Sequence, residues 1–366
     1  MKIVVFGLTI SSSWGNGHAT LWRGLVRALA ERGHRVCFYE HDVPYYAMNR
    51  DSYEIPAPGE LVLYSDWPEI RKRAEKDIAD ADVAIVTSFC PHGIEATELV
   101  LAGRATRVFY DLDTPVTLSN LEAGQELSYI GSHRLSGFDL VFSYTGGAAL
   151  DGLRGRLGAR RVLPLYGHVD PQVHRAVPPV SHYAAELSYL ATWSADRQVA
   201  VEKLFVEPAR HRPERRFLIA GAQYPQNFPW APNIYFVRHL PPGEHPAFFS
   251  SSRLTLNVTR QAMAEMGWCP SGRLFEAAAC GAAMLSDAWE GLEAFFRPGE
   301  EILVARDTFD SLAALALSDA ELKRIATNAR ERVLAEHTSD ERAGDFLAGL
   351  EAAFASEPAA GAMMRA

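Results

Sequence analysis

Apolar residues fall in short unbroken runs separated by stretches of helical spacing, and the alternation repeats along the whole chain. Lys2 to Gly7 is apolar nearly throughout, as in a parallel strand that helices cover on both faces. From about Ala19 to Glu31, Leu21, Leu25, Val26 and Leu29 share one helical face. Gly33 ends that helix, and Arg35 to Tyr39 reads as the second strand. Further strands are predicted at 83–88, 106–110, 140–144 and 161–165 in the first half. In the second half they fall at 186–191, 216–221, 234–237 and 254–258, before Asp287, and at 302–305. Helical patterns occupy 70–81, 94–102, 245–251, 273–280, one or two stretches of 310–336, and 341–354. The tail from Ser356 is alanine-rich and reads as loose.

Strands alternating with helices in both halves predict an α/β protein of two Rossmann-like, doubly wound domains facing a cleft. Tyr166-Gly-His-Val-Asp-Pro171, followed by Pro178 and Pro179, interrupts any helix or strand and marks the boundary. The expected division is 1–170 and 171–340. No repeat of solenoid period is present.

Size and composition narrow the class. At 366 residues, 48% hydrophobic and 22% charged, the chain has the make-up of a soluble globular protein with room for two domains. A net charge of −9 argues against a broad nucleic-acid surface while leaving room for a local basic pocket. Cys37, Cys90, Cys269 and Cys280 are scattered without metal-ligand spacing and fit reduced thiols. The first apolar run is too short for a signal peptide, and no stretch approaches the roughly 20 apolar residues of a spanning helix. The expected location is the cytoplasm.

Candidate chemistry gathers where strands deliver polar residues to helix starts. The stretch from Ser271 to Asp287 reads as a helix ended by Gly281 and a buried strand. Arg273 and Glu276 stand three apart and share one face of its first turn. A helix start with free N–H groups, an arginine clamp and a carboxylate one turn in suits the diphosphate and ribose of a nucleotide sugar. An ordinary surface Arg–Glu pair gives the same pattern. Arg260 ends the preceding strand and meets the same diphosphate if 263–270 folds back as a loop. The loop Ser11-Ser-Ser-Trp-Gly15-Asn-Gly17-His18 follows the first strand at a ligand-binding position, but lacks the glycine spacing of a nicotinamide site. His18 suits either donation to a phosphate or proton abstraction. Asp111-Leu-Asp113-Thr-Pro is the best acid/base candidate of the first half. Alternate residues of an extended chain point the same way, so mutual repulsion would raise one carboxyl's pKa. A loop cap and a metal-binding carboxylate pair are the other readings of that string.

Arg273-x-Phe-Glu-Ala-x-Ala-Cys-Gly-Ala282 followed by a strand ending in Asp resembles the donor segment of GT-B glycosyltransferases. The Asp111 to Thr117 string and the order Trp289 to Ala305 add a likeness to the group named after spore maturation protein CgeB. The resemblance implies a second domain that holds the donor and a first that holds the acceptor. It also implies a terminal helix, about 341–355, that crosses back to the first domain. It implies that Glu276 binds the donor ribose and that Arg197, with Ser194, reaches the diphosphate. The segment around Val237 and His239 would read the nucleobase through its backbone, and Gly15 and Gly17 would bring the first loop to the donor. Related retaining enzymes usually carry another glutamate eight positions before the ribose residue; Trp268 stands there in this chain.

The expected activity is transfer of a sugar from a nucleotide-diphosphate sugar to a small-molecule or glycan acceptor. Ser271 and the helix start, with Arg197, Arg260 and Arg273, would stabilise the diphosphate without a metal ion or other cofactor. Asp113 or His18 would take the acceptor proton. A nucleotide-sugar epimerase of the same fold, or a non-catalytic nucleotide-sugar-binding protein, are the rival readings.

Overall fold

The apolar runs become strands because each supplies side chains to both faces of a parallel sheet. The computed structural model describes residues 1–51 and 53–354. In the first sheet, β1 (Lys2–Gly7), β2 (Arg35–His41), β3 (Glu60–Tyr64), β4 (Val83–Thr87), β5 (Thr106–Asp111), β6 (Leu140–Ser143) and β7 (Val162–Pro164) lie in the order β3-β2-β1-β4-β5-β6-β7. In the second, β8 (Leu187–Leu190), β9 (Phe217–Gly221), β10 (Ile234–Arg238), β11 (Thr255–Asn257), β12 (Met284–Asp287) and β13 (Leu303–Ala305) lie in the order β10-β9-β8-β11-β12-β13. All pairings are parallel. Each order reverses beside its first strand, between β1 and β4 and between β8 and β11. That reversal opens a crevice at the carboxyl ends of the strands.

Alternate residues of each strand feed opposite cores. Val4 and Phe6 of β1 face one cluster, with Tyr39 and Trp67, while Ile3 and Val5 face the other, with Trp22, Phe38 and Phe142. The second sheet divides in the same way, Ile219 to one side and Leu218 to the other. β3 has no counterpart among the predicted strands. It sits at the sheet edge with Leu63 turned outward, so its apolar run is incomplete. The helices Thr114–Glu122 and Ala148–Leu157 were likewise absent from the hydrophobic pattern, which is weak in both. Residues 263–270 do not fold back as a plain loop. Gln261–Met266 is helical, and the chain then turns through Gly267 and Trp268, both at positive φ.

The last helix, Ser339–Phe354, packs on the first sheet's core through Ala343, Phe346, Leu350 and Ala353. Its start is tied to the segment that leaves the first sheet. Ser339 N donates to Val169 O at 2.7 Å, and His168 Nδ1 lies 2.9 Å from Ser339 Oγ. The alanine-rich tail lies outside the described residues. Phe346 packs against Phe142 of β6 in a tilted ring contact, centroids 5.4 Å apart, and is buried. Phe346→Ala should therefore destabilise the protein by roughly 3–5 kcal/mol in urea unfolding. A midpoint within error of wild type would show that the helix is not anchored there.

Candidate active site

A cavity of about 500 Å³ lies between the two sheets, lined by loops that leave the carboxyl ends of both. Gly15, Gly17, His18, Phe89 and Asp113 come from the first half, and Arg197, His239, Arg260, Ser271, Arg273 and Glu276 from the second. Ten of the twelve predicted site residues thus meet in one space: the two glycines, His18, Asp113, Arg197, His239, Arg260, Ser271, Arg273 and Glu276. Ser194 and Val237 do not line it. Ser194 is the N-cap of the turn Ala195–Arg197 and its buried hydroxyl has no partner. Val237 packs into the apolar cluster beneath the β10 end.

The first-half wall is built on a buried carboxylate. Glu40, at the end of β2, accepts from Thr9 Oγ1, Ile10 N, Ser11 N and Ser11 Oγ at 2.6–2.9 Å. Asp51 holds Ser13 N at 2.7 Å and pairs with Arg23. These bonds set the loop so that Gly15 turns at φ 68° and Gly17 opens the helix His18–Glu31. His18 Nε2 then lies 3.0 Å from Asp113 Oδ2. A carboxylate only accepts, so Nε2 carries the proton; Nδ1, which has no partner among the described residues, is the basic nitrogen.

Asp111 and Asp113 do not point the same way. The extended chain ends at Asp111, and Asp113 is the N-cap residue of Thr114–Glu122, turned toward the cavity. Asp111 is buried, and its Oδ1 accepts from Asp113 N and Thr117 Oγ1 at 3.2 and 3.1 Å. Burial first, and the neighbouring Asp113 charge to a lesser degree, push its pKa up to about 7. Desolvation rather than mutual repulsion is therefore the main cause, and the raised group is the one that touches no cavity.

The second-half wall carries the cations. Arg273 lies in the first turn of Gly272–Ala279, donates to Asn257 Oδ1 at 2.7 Å and stands over the Tyr189 ring. Burial lowers its pKa, and Arg197 adds repulsion. Arg197 donates to Thr192 O at 2.8 Å, while its buried Nε has no partner. Arg260 lies at the rim in an ion pair with Asp196 at 3.3 Å, so it is partly neutralised already. His239 sits at φ 52°, held by its backbone N–H to Gly221 O at 2.8 Å and by contact with the Trp14 ring of the first-half loop, centroids 4.1 Å apart. Gly221 has no alternative residue: an added Cβ would stand 1.8 Å from Ala191 O.

Glu276 shows a setting that sequence reasoning missed. Its Oε2 lies 3.4 Å from His245 Nδ1 and 3.8 Å from His174 Nε2. Burial pushes its pKa up, but the two imidazoles and Arg273 outweigh that and hold it below the usual carboxylate range. The three residues also bring potential metal-ligating atoms within 4.8 Å of one another. His174 and His245 are 102 and 31 positions from Glu276, since only the fold joins the inter-sheet segment, the helix His245–Ser251 and the helix Gly272–Ala279. Trp268, at the position of the second glutamate in related enzymes, does not line the cavity. Its ring fills the space over Gly147 and Gly291 and braces the two halves.

Comparison with known proteins agrees with this geometry. Residues 197–348 match the family described as glycosyl transferase-like. No curated protein matches the chain in sequence. Sucrose-phosphate synthase from Thermosynechococcus elongatus superposes with a TM-score of 0.71 over 97% of this chain and 99% of that one, at 14% identity. HepE from Anabaena, solved with UDP-glucose, gives 0.69 over 96% and 100% at 12% identity. An alpha-glucosyltransferase solved with UDP and a 13-mer DNA gives 0.67 over 96% and 99% at 14% identity. What such distant chains share is the fold, and the fold is GT-B. This chain thus has the GT-B fold, and its residues 197–348 resemble a glycosyl transferase-like family.

The Asp111 setting has a measurable consequence. Its folded pKa, about 7, lies above the 3.8 of a free aspartate, so the folded state binds the extra proton between those values. This group's contribution to stability should be full below about pH 4, fall as pH rises toward 7, and level off above it. Asp111→Asn, which does not ionise, should flatten that decline in thermal unfolding across pH 4–8. An unchanged slope would remove Asp111 as its source.

Proposed function

We propose that this protein is a glycosyltransferase that moves a sugar from a nucleoside-diphosphate sugar to a nucleophilic acceptor, without a metal ion. One observation carries the reading: an arginine-bearing wall faces an imidazole–carboxylate pair across a single cavity. Arg197 and Arg273 repel one another in a desolvated wall, and a bound diphosphate relieves that repulsion. The free N–H groups at the start of Gly272–Ala279 add donors for the same anion. Glu276, kept ionised, accepts from the ribose hydroxyls. The acceptor oxygen attacks the anomeric carbon, the bond to the diphosphate breaks, and the acceptor's proton passes to the His18–Asp113 pair. Arg197, Arg273 and the helix start hold the charge that develops on the leaving group. The HepE and alpha-glucosyltransferase structures hold UDP or UDP-glucose, which makes UDP the first donor base to test. The Asp111–Thr117 and Arg273–Gly281 strings support a place in the CgeB-like group. An epimerase would use the same donor pocket without an acceptor, whereas the His18–Asp113 pair on the opposite wall favours transfer.

The decisive measurement is calorimetric titration with UDP and its 2′,3′-dideoxy form, with and without EDTA. UDP affinity should be unchanged by EDTA. Glu276→Ala should weaken it by roughly 10- to 150-fold, the loss of a charge-assisted bond, and the alanine variant should no longer distinguish the two nucleotides. Losses that simply add would remove Glu276 from the ribose; affinity restored only by magnesium or manganese would end the metal-free reading. Asp113→Asn should lower kcat by about 10²-fold or more while leaving UDP affinity near wild type. Near-normal turnover would return Asp113 to its place as a helix cap.

A further inference from the structure

His245 touches two parts of the donor wall at once. Its Nε2 lies 3.2 Å from Leu240 O, at the end of the segment that follows β10. Its Nδ1 lies 3.4 Å from Glu276 Oε2 and 3.4 Å from His174 Nε2. Leu240, His245 and Glu276 all line the cavity. A carbonyl only accepts, so Nε2 of His245 carries a proton and, in the neutral ring, Nδ1 is a lone pair. A lone pair set against a carboxylate oxygen repels it. One proton must therefore sit among His245 Nδ1, His174 Nε2 and Glu276 Oε2. On His245 it places an N–H 3.4 Å from Glu276 Oε2, with the His174 ring 3.4 Å behind it.

His174 is the buried member of the trio, 1% exposed, and comes from the segment between the two sheets. Its backbone N–H donates to Asp170 O at 2.9 Å, and the Asp170 carboxylate pairs with Arg27 on the helix His18–Glu31. The pair of rings is thus anchored on one side to the segment joining the halves and on the other to the β10 loop.

We infer that His245, backed by His174, is a positioning residue that fixes the Glu276 carboxylate and the Leu240 backbone in register, so that one nucleoside meets both. The inference rests on the reading of Glu276 as the ribose acceptor. It adds that the carboxylate's orientation, and its alignment with the segment that would meet the base, depend on one imidazole. A metal ion is the other occupant that two histidines and a glutamate suggest. A metal-bound histidine nearly always donates its second ring N–H to an acceptor, and among the described residues His174 Nδ1 has no partner. The second contact that would orient His174 toward a metal is missing, which favours the proton.

Calorimetry on His245→Leu, His245→Asn, His174→Leu and His174→Gln tests this with UDP, GDP or ADP, whichever binds, and its 2′,3′-dideoxy form. His245→Leu and His174→Leu should each weaken binding of the ribonucleotide on the order of 10-fold and of the dideoxy form much less. Asparagine places an amide where Nδ1 stood, and glutamine does so for Nε2 of His174, so both should recover most of the ribose-dependent part. Should either leucine variant fail to fold by circular dichroism, the amide variants carry the test through the same comparison. Equal losses for both nucleotides, or none, would overturn the inference while a ribose-dependent wild type left the glycosyltransferase reading standing. Stoichiometric zinc in the purified protein, with ribonucleotide affinity lost on chelation, would overturn it by making the trio a metal centre. A wild type that binds no nucleoside diphosphate would overturn the functional reading and this inference with it.

Discussion

A desolvated guanidinium without a carboxylate partner is costly, and the second-half wall of the cavity is arranged around one. Among the described residues, Arg273 has a neutral amide oxygen, Asn257 Oδ1, as its hydrogen-bond acceptor and an aromatic face beside it. Burial lowers its pKa and Arg197 presses on it further. Carboxylates stand near without satisfying it: Asp287 is taken by Thr259, Ser286 and Asn257, and Glu276 by the imidazoles. The wall thus keeps positive charge unspent at the place where the helix Gly272–Ala279 directs its N–H groups.

The opposing wall matters only if it is held at the right distance, and a short strap does this. Tyr144 OH donates to Pro270 O at 2.7 Å, Gly146 N to Trp268 O at 3.0 Å, and Thr145 Oγ1 to Cys269 Sγ at 3.1 Å. The strap joins the residues just after β6 to those just before the arginine helix. Trp268 is its wedge, and Gly147 and Gly291 are glycines because its ring occupies the space of their side chains. A glutamate there would neither fill that space nor stay desolvated without cost. The absence of the second glutamate and the bracing of the two halves are one structural fact.

Local strain follows the same outline. Phe89 and His239 line the cavity at φ 60° and 52°, Trp268 braces it at 50°, and Gln223 beside Tyr45 stands at 65°. Each such residue costs on the order of 1–3 kcal/mol, held in place by the surrounding packing. Their concentration at the cleft, with Arg134 the exception at the far side of the first sheet, marks where the fold gives up stability for shape.

Much of this was legible in the chain itself. Buried parallel strands need unbroken apolar runs, so β1, β4, β9 and their neighbours, the alternation with helices and the fold class could be read directly. The arginine helix announced itself because a helix start and an Arg–Glu spacing of three are local properties. Edge strand β3 escaped because one side faces water, and the helix after Asp113 because its apolar pattern is weak. The pairing of His18 with Asp113 spans 95 positions, and that of His245 with Glu276 joins two helices that follow different strands. No periodicity carries such information. Which carboxylate is buried and which faces the cavity was also decided late, since Asp111 and Asp113 are chemically identical and differ only in what the folded chain packs around them. Local propensity sets the elements, but desolvation and partner choice exist only once distant elements meet, and those decide the chemistry.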